Sequence, residues 1–529
     1  MHLARIGVVF ASEDPYSSWY GEALAHTGLL FEPITDFSYD NLLKYDAVLL
    51  CGHGKFDDTE MLHRWLDEGR RTLVVSGGSW GLEKLLGLQA TNSRFTKGEV
   101  RAESSPLWPE GERSALFTGG TRTRAGAAKT LITTAEGLVG VSQHGSAWFV
   151  SPHVGQTLAF FQLGTSVETH AIGPTDGSAS WDSGPLRAEF GTRLEFSERE
   201  DSLFLTPHAD IIRELWIRTV LAAIGSTGKR TAILWHLPGT ATHGGIISLD
   251  CDVSNPSVLF QIHAALSMTG AKTTVLSRGA CLPPEVYAWL RQMGHEVGLS
   301  FHESWRTEKA KVAITSLTRI AGGQVFTASL ADGAWNGLMQ PYEALAQCGV
   351  HTVLSKGGTE RGTSGFLFGT SHPFVAKPTP VVEIPYQTFD GHRDERVIEP
   401  AKHRHGILHS IIRLSTVQDE TGFSELKRWA SLLRQSGADF FTAERLTTFE
   451  RARRAARVRR ERDGSFLIES DSALGTITVM VQGRDISAEA GRKAAQVVRR
   501  YGHDFTALPL ELGESRSGSF LLTEDRKAA

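Results

Sequence analysis

The chain has 529 residues, 41% hydrophobic and 22% charged, with a formal net charge of -4. This is ordinary globular composition, long enough for about three units of roughly 150 residues each. So small a charge gives no general attraction to nucleic acid or an anionic membrane, and no apolar run approaches the roughly 20 residues of a membrane helix.

Met1 leads almost at once into a β-like run, residues 6–10, with no secretory leader ahead of it, so a cytoplasmic protein is expected. Cys51, Cys251, Cys281 and Cys348 are scattered and form no C-x-x-C pair. That fits a reducing compartment and argues against a disulfide framework or a thiolate zinc site. Residues 5–10 (RIGVVF) read as a buried strand, a helix follows around 19–29, and 45–51 (YDAVLLC) is a second apolar strand. An amphipathic helix over 59–69 leads to a third strand at 71–76 (RTLVVS). Apolar strands separated by helices predict a parallel sheet covered on both faces.

The third strand runs into Gly77-Gly78-Ser79-Trp80-Gly81 and a helix expected over 82–86, the setting of a nucleophile elbow. This N-terminal part resembles the class I glutamine amidotransferase-like fold, flavodoxin-like in its parallel sheet. The resemblance implies a cysteine at the elbow, activated by a downstream histidine; here Ser79 holds that place. His53, His144, His153 and His170 are available bases, none in a motif that assigns the role, and Glu168-Thr169-His170 reverses the usual order. A serine hydrolase using Ser79, a pocket without chemistry and a relic of the fold are the open readings.

Short strands rich in Gly, Ser and Thr replace this pattern from about 99 to 204, and a helix over 209–224 with the loop 225–230 closes a first domain, 1–230. The second, 231–446, opens with Leu234-Trp235-His236-Leu237-Pro238-Gly239 and the strand 245–250 (GIISLD). Strand signals at 272–276, 295–299, 324–327 and 351–354 then alternate with helices at 284–293 and 340–347, which predicts a distorted β/α barrel. The third part, 447–529, begins with an arginine-rich helix over 448–462, read as a solvated helix or a basic binding patch, and ends in a small β-rich appendage.

The strand GIISLD ends in Asp250-Cys251-Asp252. Carboxylates at the carboxyl end of a barrel strand sit at the mouth, where such folds place chemistry. On an extended chain the D-x-D spacing points both to one side, so one can hold a cation while the other takes a proton. Alternatively, Asp252 or Ser254 caps a helix beginning near Pro256.

Preceded by the Trp235–Gly239 segment, this strand resembles the first motif of the polysaccharide deacetylase (NodB-like) family. Residues 294–299 (GHEVGL) resemble the second, 369–374 (GTSHPF) with 382–385 (VEIP) a later stretch of long bacterial members, and 406–409 (GILH) the last. The resemblance covers about 234–446. It implies a zinc-dependent amide hydrolase acting on an N-acetylated sugar or related small acylated amine, with Asp250 as base, Asp252 as metal ligand and His409 as general acid.

The places of the family's histidine pair hold Ser300 and Ser304, and a serine hydroxyl is a poor zinc ligand. His302 and Glu303 are then the candidates to complete the metal site. Asp332, Trp335 and His372 are candidates for substrate binding, although the basic residues that usually precede the tryptophan are missing. Arg413 stands where a second histidine is expected, His403 and His405 lie nearby in sequence, and His295 reads as structural. The other reading is an inactive deacetylase-like protein that binds carbohydrate or serves as a scaffold in a biosynthetic complex. Homo-oligomerisation or a biosynthetic partner protein stays open. No G-x-x-x-x-G-K-[ST] loop supports nucleotide hydrolysis.

Overall fold

Short apolar runs without polar alternation are best satisfied as strands buried on both faces, and the computed structural model places them so. It describes residues 3–102, 105–164, 203–301, 307–330, 338–357, 364–390, 393–461, 465–472, 475–484, 486–489, 495–512 and 517–524. The protein is mixed α/β with parallel-strand sheets, divided into two units: Met1–Ala159, Ile211–Thr240 and Phe449–Ala529 form one, Phe160–Asp210 and Ala241–Thr448 the other. Among the described residues no helix is long and apolar enough to cross a membrane.

In the first unit Ile6–Phe10, Ala47–Gly52 and Thr72–Gly77 lie parallel, with Val8 opposite Leu49 and Leu49 opposite Val74. Every residue of the latter two strands is buried. Glu32–Pro33 flanks Ile6–Phe10 on its other side. Ala147–Val150 continues the parallel run beside Thr72–Gly77. The Gly/Ser/Thr-rich stretch extends the same sheet with antiparallel strands: Val139–His144, Lys129–Thr134, Lys97–Arg101 and Ser114–Thr118. Residues 82–86 form turns instead of the expected helix, because Trp80 and Gly81 both take positive φ and Gly87 ends the segment with another.

The C-terminal strands Gly475–Gln482, His503–Leu512 and Gln496–Arg500 form one antiparallel sheet with Ala232–Leu234. The arginine-rich stretch is not one helix. Ala443–Ala455 is helical, and Arg457–Arg460 is a strand paired with Phe466–Glu469. Nor are all its arginines solvated. Arg453, 1% exposed, forks onto Glu450 and donates to the backbone oxygens of Ala25, His26 and Leu234. Arg454 bridges Glu450 and Glu22. Helical spacing of three and four sets one glutamate against both guanidinium groups. Gly28, at φ 80°, lets the chain pass, since a Cβ there would stand 1.9 Å from Leu234 O.

The second unit carries a ten-stranded half-barrel sheet. Its central order is Thr352–Val353, Thr327–Leu330, Glu296–Phe301, Thr273–Ser277, Gly244–Cys251, Ile407–Arg413 and Thr388–Phe389, all parallel. Helices Pro256–Ser267, Pro284–Gln292, Thr307–Ile320 and Gln340–Gln347 alternate with these strands. Parallel pairing brings the carboxyl ends together at one mouth.

Removing one member of a buried ion network strands the other in low dielectric. Arg453→Ala is therefore expected to cost about 3–5 kcal/mol of unfolding free energy. The joint Glu450→Gln/Arg453→Met variant is expected to lose less, and urea denaturation of both distinguishes the cases.

Candidate functional site

The mouth of the half-barrel is built from residues at strand ends. Asp250 is the penultimate residue of Gly244–Cys251, Arg278 directly follows Thr273–Ser277, and Ser300 is penultimate in Glu296–Phe301. Asp390 directly follows Thr388–Phe389 and Arg413 ends Ile407–Arg413. Asp250 is 3% exposed and takes both arms of Arg278: Nη2 donates to Oδ2 at 2.8 Å and Nε to Oδ1 at 3.4 Å. Asp390 accepts from the Arg413 amide at 2.7 Å and holds φ 47°, a left-handed conformation that aspartate tolerates better than most residues. Burial, then the charges of Asp252 and Asp250, push its carboxyl up against the lowering effect of that amide. A cavity of about 660 Å³ opens at Arg278, Gly279 and Ser300, walled by Leu299, Phe301, Val312 and Ala313, with the exposed Glu308 and Lys309 in its lining.

Asp250 and Asp252 do not lie on one extended segment. The strand ends at Cys251, and the Asp252 amide donates to Asp250 O at 3.0 Å, closing a tight turn. Asp252 instead accepts from the amide and hydroxyl of Ser415. Neither it nor Ser254 caps the next helix; Asn255 does, accepting from the Ser257 amide at 3.2 Å. Behind the mouth Cys281 Sγ lies 4.0 Å from Cys251 O, and the neighbouring Cys251 thiol holds the Cys281 thiol down to about 6.

His409 is not at this level. It stands opposite Ile246, four residues before the Asp250–Arg413 pairing, about 13 Å along the strands. Its ring is 1% exposed, with Nε2 2.8 Å from Ser248 Oγ and Nδ1 3.2 Å from Ile384 O, and burial pushes it down to about 4. His403 and His405 precede Ile407–Arg413, at the opposite end of the strand from the mouth. His295 likewise precedes Glu296–Phe301; its Nδ1 accepts from the Thr273 amide and its Nε2 meets His263 Nδ1. His372 is 1% exposed and its Nε2 donates to Arg404 O at 2.8 Å. His302, Glu303, Ser304, Asp332 and Trp335 lie outside the described residues.

The described donors do not by themselves complete the zinc site that the resemblance implies, since His302 and Glu303 lie outside the described residues. Asp250 is engaged by a guanidinium and Asp252 by Ser415. Among the described residues the mouth does not gather three carboxylate, imidazole or thiolate ligand atoms close enough to share one cation.

The first unit gathers a second polar cluster at strand ends. Asp14 follows Ile6–Phe10, His53 follows Ala47–Gly52, and His153 follows Ala147–Val150. His153, fully buried, donates from Nε2 to Asp14 Oδ2 at 2.6 Å while its Nδ1 accepts from the Gln156 amide. Burial raises the Asp14 carboxyl, but the His153 contact together with the His53 and Tyr16 amides outweighs it and brings it down to about 2. His53 packs against His153 with ring centroids 5.0 Å apart, and burial pushes it down to about 4. Asp14 went unnoticed in the sequence because no spacing links it to residues 39 and 139 positions away.

Ser79 joins none of these histidines. Its hydroxyl donates to Glu83 at 2.5 Å. The positive φ of the turn, 58°, falls on Trp80, whose buried indole donates to Gly52 O at 2.8 Å. His144 Nδ1 meets Leu85 O, and His170 lies outside the described residues.

No protein-family profile matches the sequence, and no curated protein matches it. Among solved structures the chain is similar to Agd3, a carbohydrate deacetylase, at 8% identity and a TM-score of 0.41, over 98% of this chain and 99% of that one. It is similar to the peptidoglycan deacetylase PdaC from Bacillus subtilis at 14% identity and a TM-score of 0.27, covering 40% of this chain and 94% of that one. A family 4 carbohydrate esterase pseudoenzyme from Bacillus anthracis matches at 10% identity and a TM-score of 0.26, over 39% and 65%.

The buried histidines make an acid limit testable. His53, His295 and His409 are held to about 4, and His26 to about 3, each chiefly by burial, against an ordinary 6.5. Between 6.5 and those values the unfolded chain takes up protons that the folded chain does not, so acidification through this window favours unfolding. Glu296 and Glu383, raised to about 7 by burial, oppose this above pH 4.5, so thermal scans are expected to show a midpoint that falls from pH 6.5 to pH 4 and falls less in His409→Phe. An equal fall in that variant would contradict the burial of a neutral imidazole at His409.

Proposed function

We propose that the second unit uses its half-barrel mouth to bind a polar small molecule, a carbohydrate or related acylated amine, on a deacetylase-like scaffold without metal-dependent hydrolysis. The observation that carries this reading is the Asp250–Arg278 pair. Amide hydrolysis needs a base and an acid at one level, each within hydrogen-bond reach of its proton. Asp250 shares both its oxygens with a guanidinium, and the imidazole expected to protonate the leaving group is about 13 Å along the strands from it. The remaining chemistry suits recognition. Arg278 brings N–H donors to the cavity, Ser300 a hydroxyl, and Leu299 and Phe301 offer an apolar wall to a sugar ring.

Isothermal titration with N-acetylglucosamine tests this. Losing a hydrogen bond to a charged group costs about 1.5–3 kcal/mol, so Arg278→Ala is expected to weaken binding roughly 10- to 100-fold. Zinc in the freshly purified protein is expected to be far below one equivalent, with no acetate released. Stoichiometric zinc, together with acetate release that Asp250→Asn abolishes, would restore the hydrolytic reading and overturn this one.

For the first unit we read an amidotransferase-like sheet whose elbow serine is not a nucleophile. The support is the Ser79–Glu83 hydrogen bond and the indole of Trp80 at the strained position. A fluorophosphonate probe is expected to leave the protein unlabelled; labelling that Ser79→Ala removes would refute the reading.

A further inference from the structure

Cys251 and Cys281 lie on the two elements that the Asp250–Arg278 pair joins. Cys251 ends the strand Gly244–Cys251, opposite Ser277, the last residue of Thr273–Ser277. Neighbouring residues of a strand face opposite ways, so Cys251 points away from the side that Asp250 takes. The turn through Gly279, at φ 63°, returns Cys281 to the same strand end. Cys281 Sγ is 3.2 Å from Ser277 Oγ and 4.0 Å from Cys251 O, and the Cys251 thiol is near enough to act on it electrostatically. Tyr287 covers Ser277, its hydroxyl 2.6 Å from Oγ. Cys251 is buried and Cys281 half-buried. An approachable sulfur thus has a sheltered one directly behind it, the arrangement of an attacking and a resolving thiol.

We propose that Cys251 and Cys281 are an oxidisable dithiol, converted by a hydroperoxide into an intramolecular disulfide that braces the loop carrying Arg278. In the first step the Cys281 sulfur attacks the peroxide; an S–O bond forms, the O–O bond breaks, and an alcohol (water, from hydrogen peroxide) leaves. In the second the Cys251 sulfur attacks that sulfenic acid; the S–S bond forms, the S–O bond breaks, and water leaves. The two thiols together lose two electrons and two protons, which the hydroperoxide takes up. Arg278 and Gly279 both line the mouth cavity, so the bridge fixes one wall of it. The chemistry is independent of which ligand the mouth holds.

The other two cysteines serve as internal references. Cys51 is buried in the strand Ala47–Gly52 of the first unit, and Cys348 donates to Thr307 O. The reduced full-length protein is exposed to hydrogen peroxide, blocked with an alkylating agent, digested without reductant and examined by mass spectrometry. The expected product is a Cys251–Cys281 cross-linked peptide, two hydrogens lighter than its parts, that forms before Cys51 or Cys348 reacts and disappears with dithiothreitol. Cys281→Ser is expected to abolish it, and Cys251→Ser to leave Cys281 as a sulfenic or sulfinic acid. Circular dichroism confirms that both variants are folded. Wild-type protein in which Cys281 reaches sulfinic acid while Cys251 stays alkylatable, or in which no link forms, overturns the proposal.

Discussion

A carboxylate at the end of a buried strand must find a cation or enough donors to replace water, and Asp250 finds Arg278. The arrangement of the mouth follows from that pairing. Arg278 comes from the turn directly after the neighbouring strand, so parallel register alone brings the two together. Once the guanidinium is drawn inward, it becomes part of the wall of the adjoining cavity. Asp252, freed from the strand by the turn at Cys251, goes to Ser415, while Asp390 lies beside Arg413 and is raised by burial and, less, by the charges of Asp252 and Asp250. A mouth that looks in sequence like half of a metal site thus holds, among its described residues, a carboxylate answered by a guanidinium.

The strands were the legible part. RIGVVF, YDAVLLC, RTLVVS and GIISLD are apolar without alternation, and only strands covered on both faces suit them. The barrel alternation was legible for the same reason. What sequence could not supply was partnership and depth. Nothing in Asp250-Cys251-Asp252 says that an arginine 28 residues on will take the first carboxylate. The GILH motif marked His409 but not its level in the barrel, which depends on the register against Gly244–Cys251. Similarly, a run of arginines reads as a solvated face until Glu450 and Glu22, the latter 432 positions from Arg454, are known to lie beside it. Asp332, Trp335, His302 and Glu303 remain expectations from the sequence.

The two units, each taken by itself, use the same device. Parallel strands deliver their carboxyl ends to one edge, and polar residues placed just beyond those ends meet there. In the first unit the strand order turns about Ile6–Phe10 and Ala47–Gly52, and Asp14, His53 and His153 collect beyond the strand ends. Glycine makes this possible: Gly52, at φ 93°, would place a Cβ 2.4 Å from Asp14 Oδ2. In the second unit the corresponding carboxylate is answered by a guanidinium instead of an imidazole.

Commitment of Asp250 to Arg278 is most directly measured by a double-mutant cycle on unfolding free energy with Asp250→Asn, Arg278→Gln and the joint variant. The account predicts a coupling of about 1–3 kcal/mol between the two positions, of the size found for contacting charged pairs. Losses that simply add, within about 0.5 kcal/mol, would show that the carboxylate does not depend on the arginine and would contradict the account.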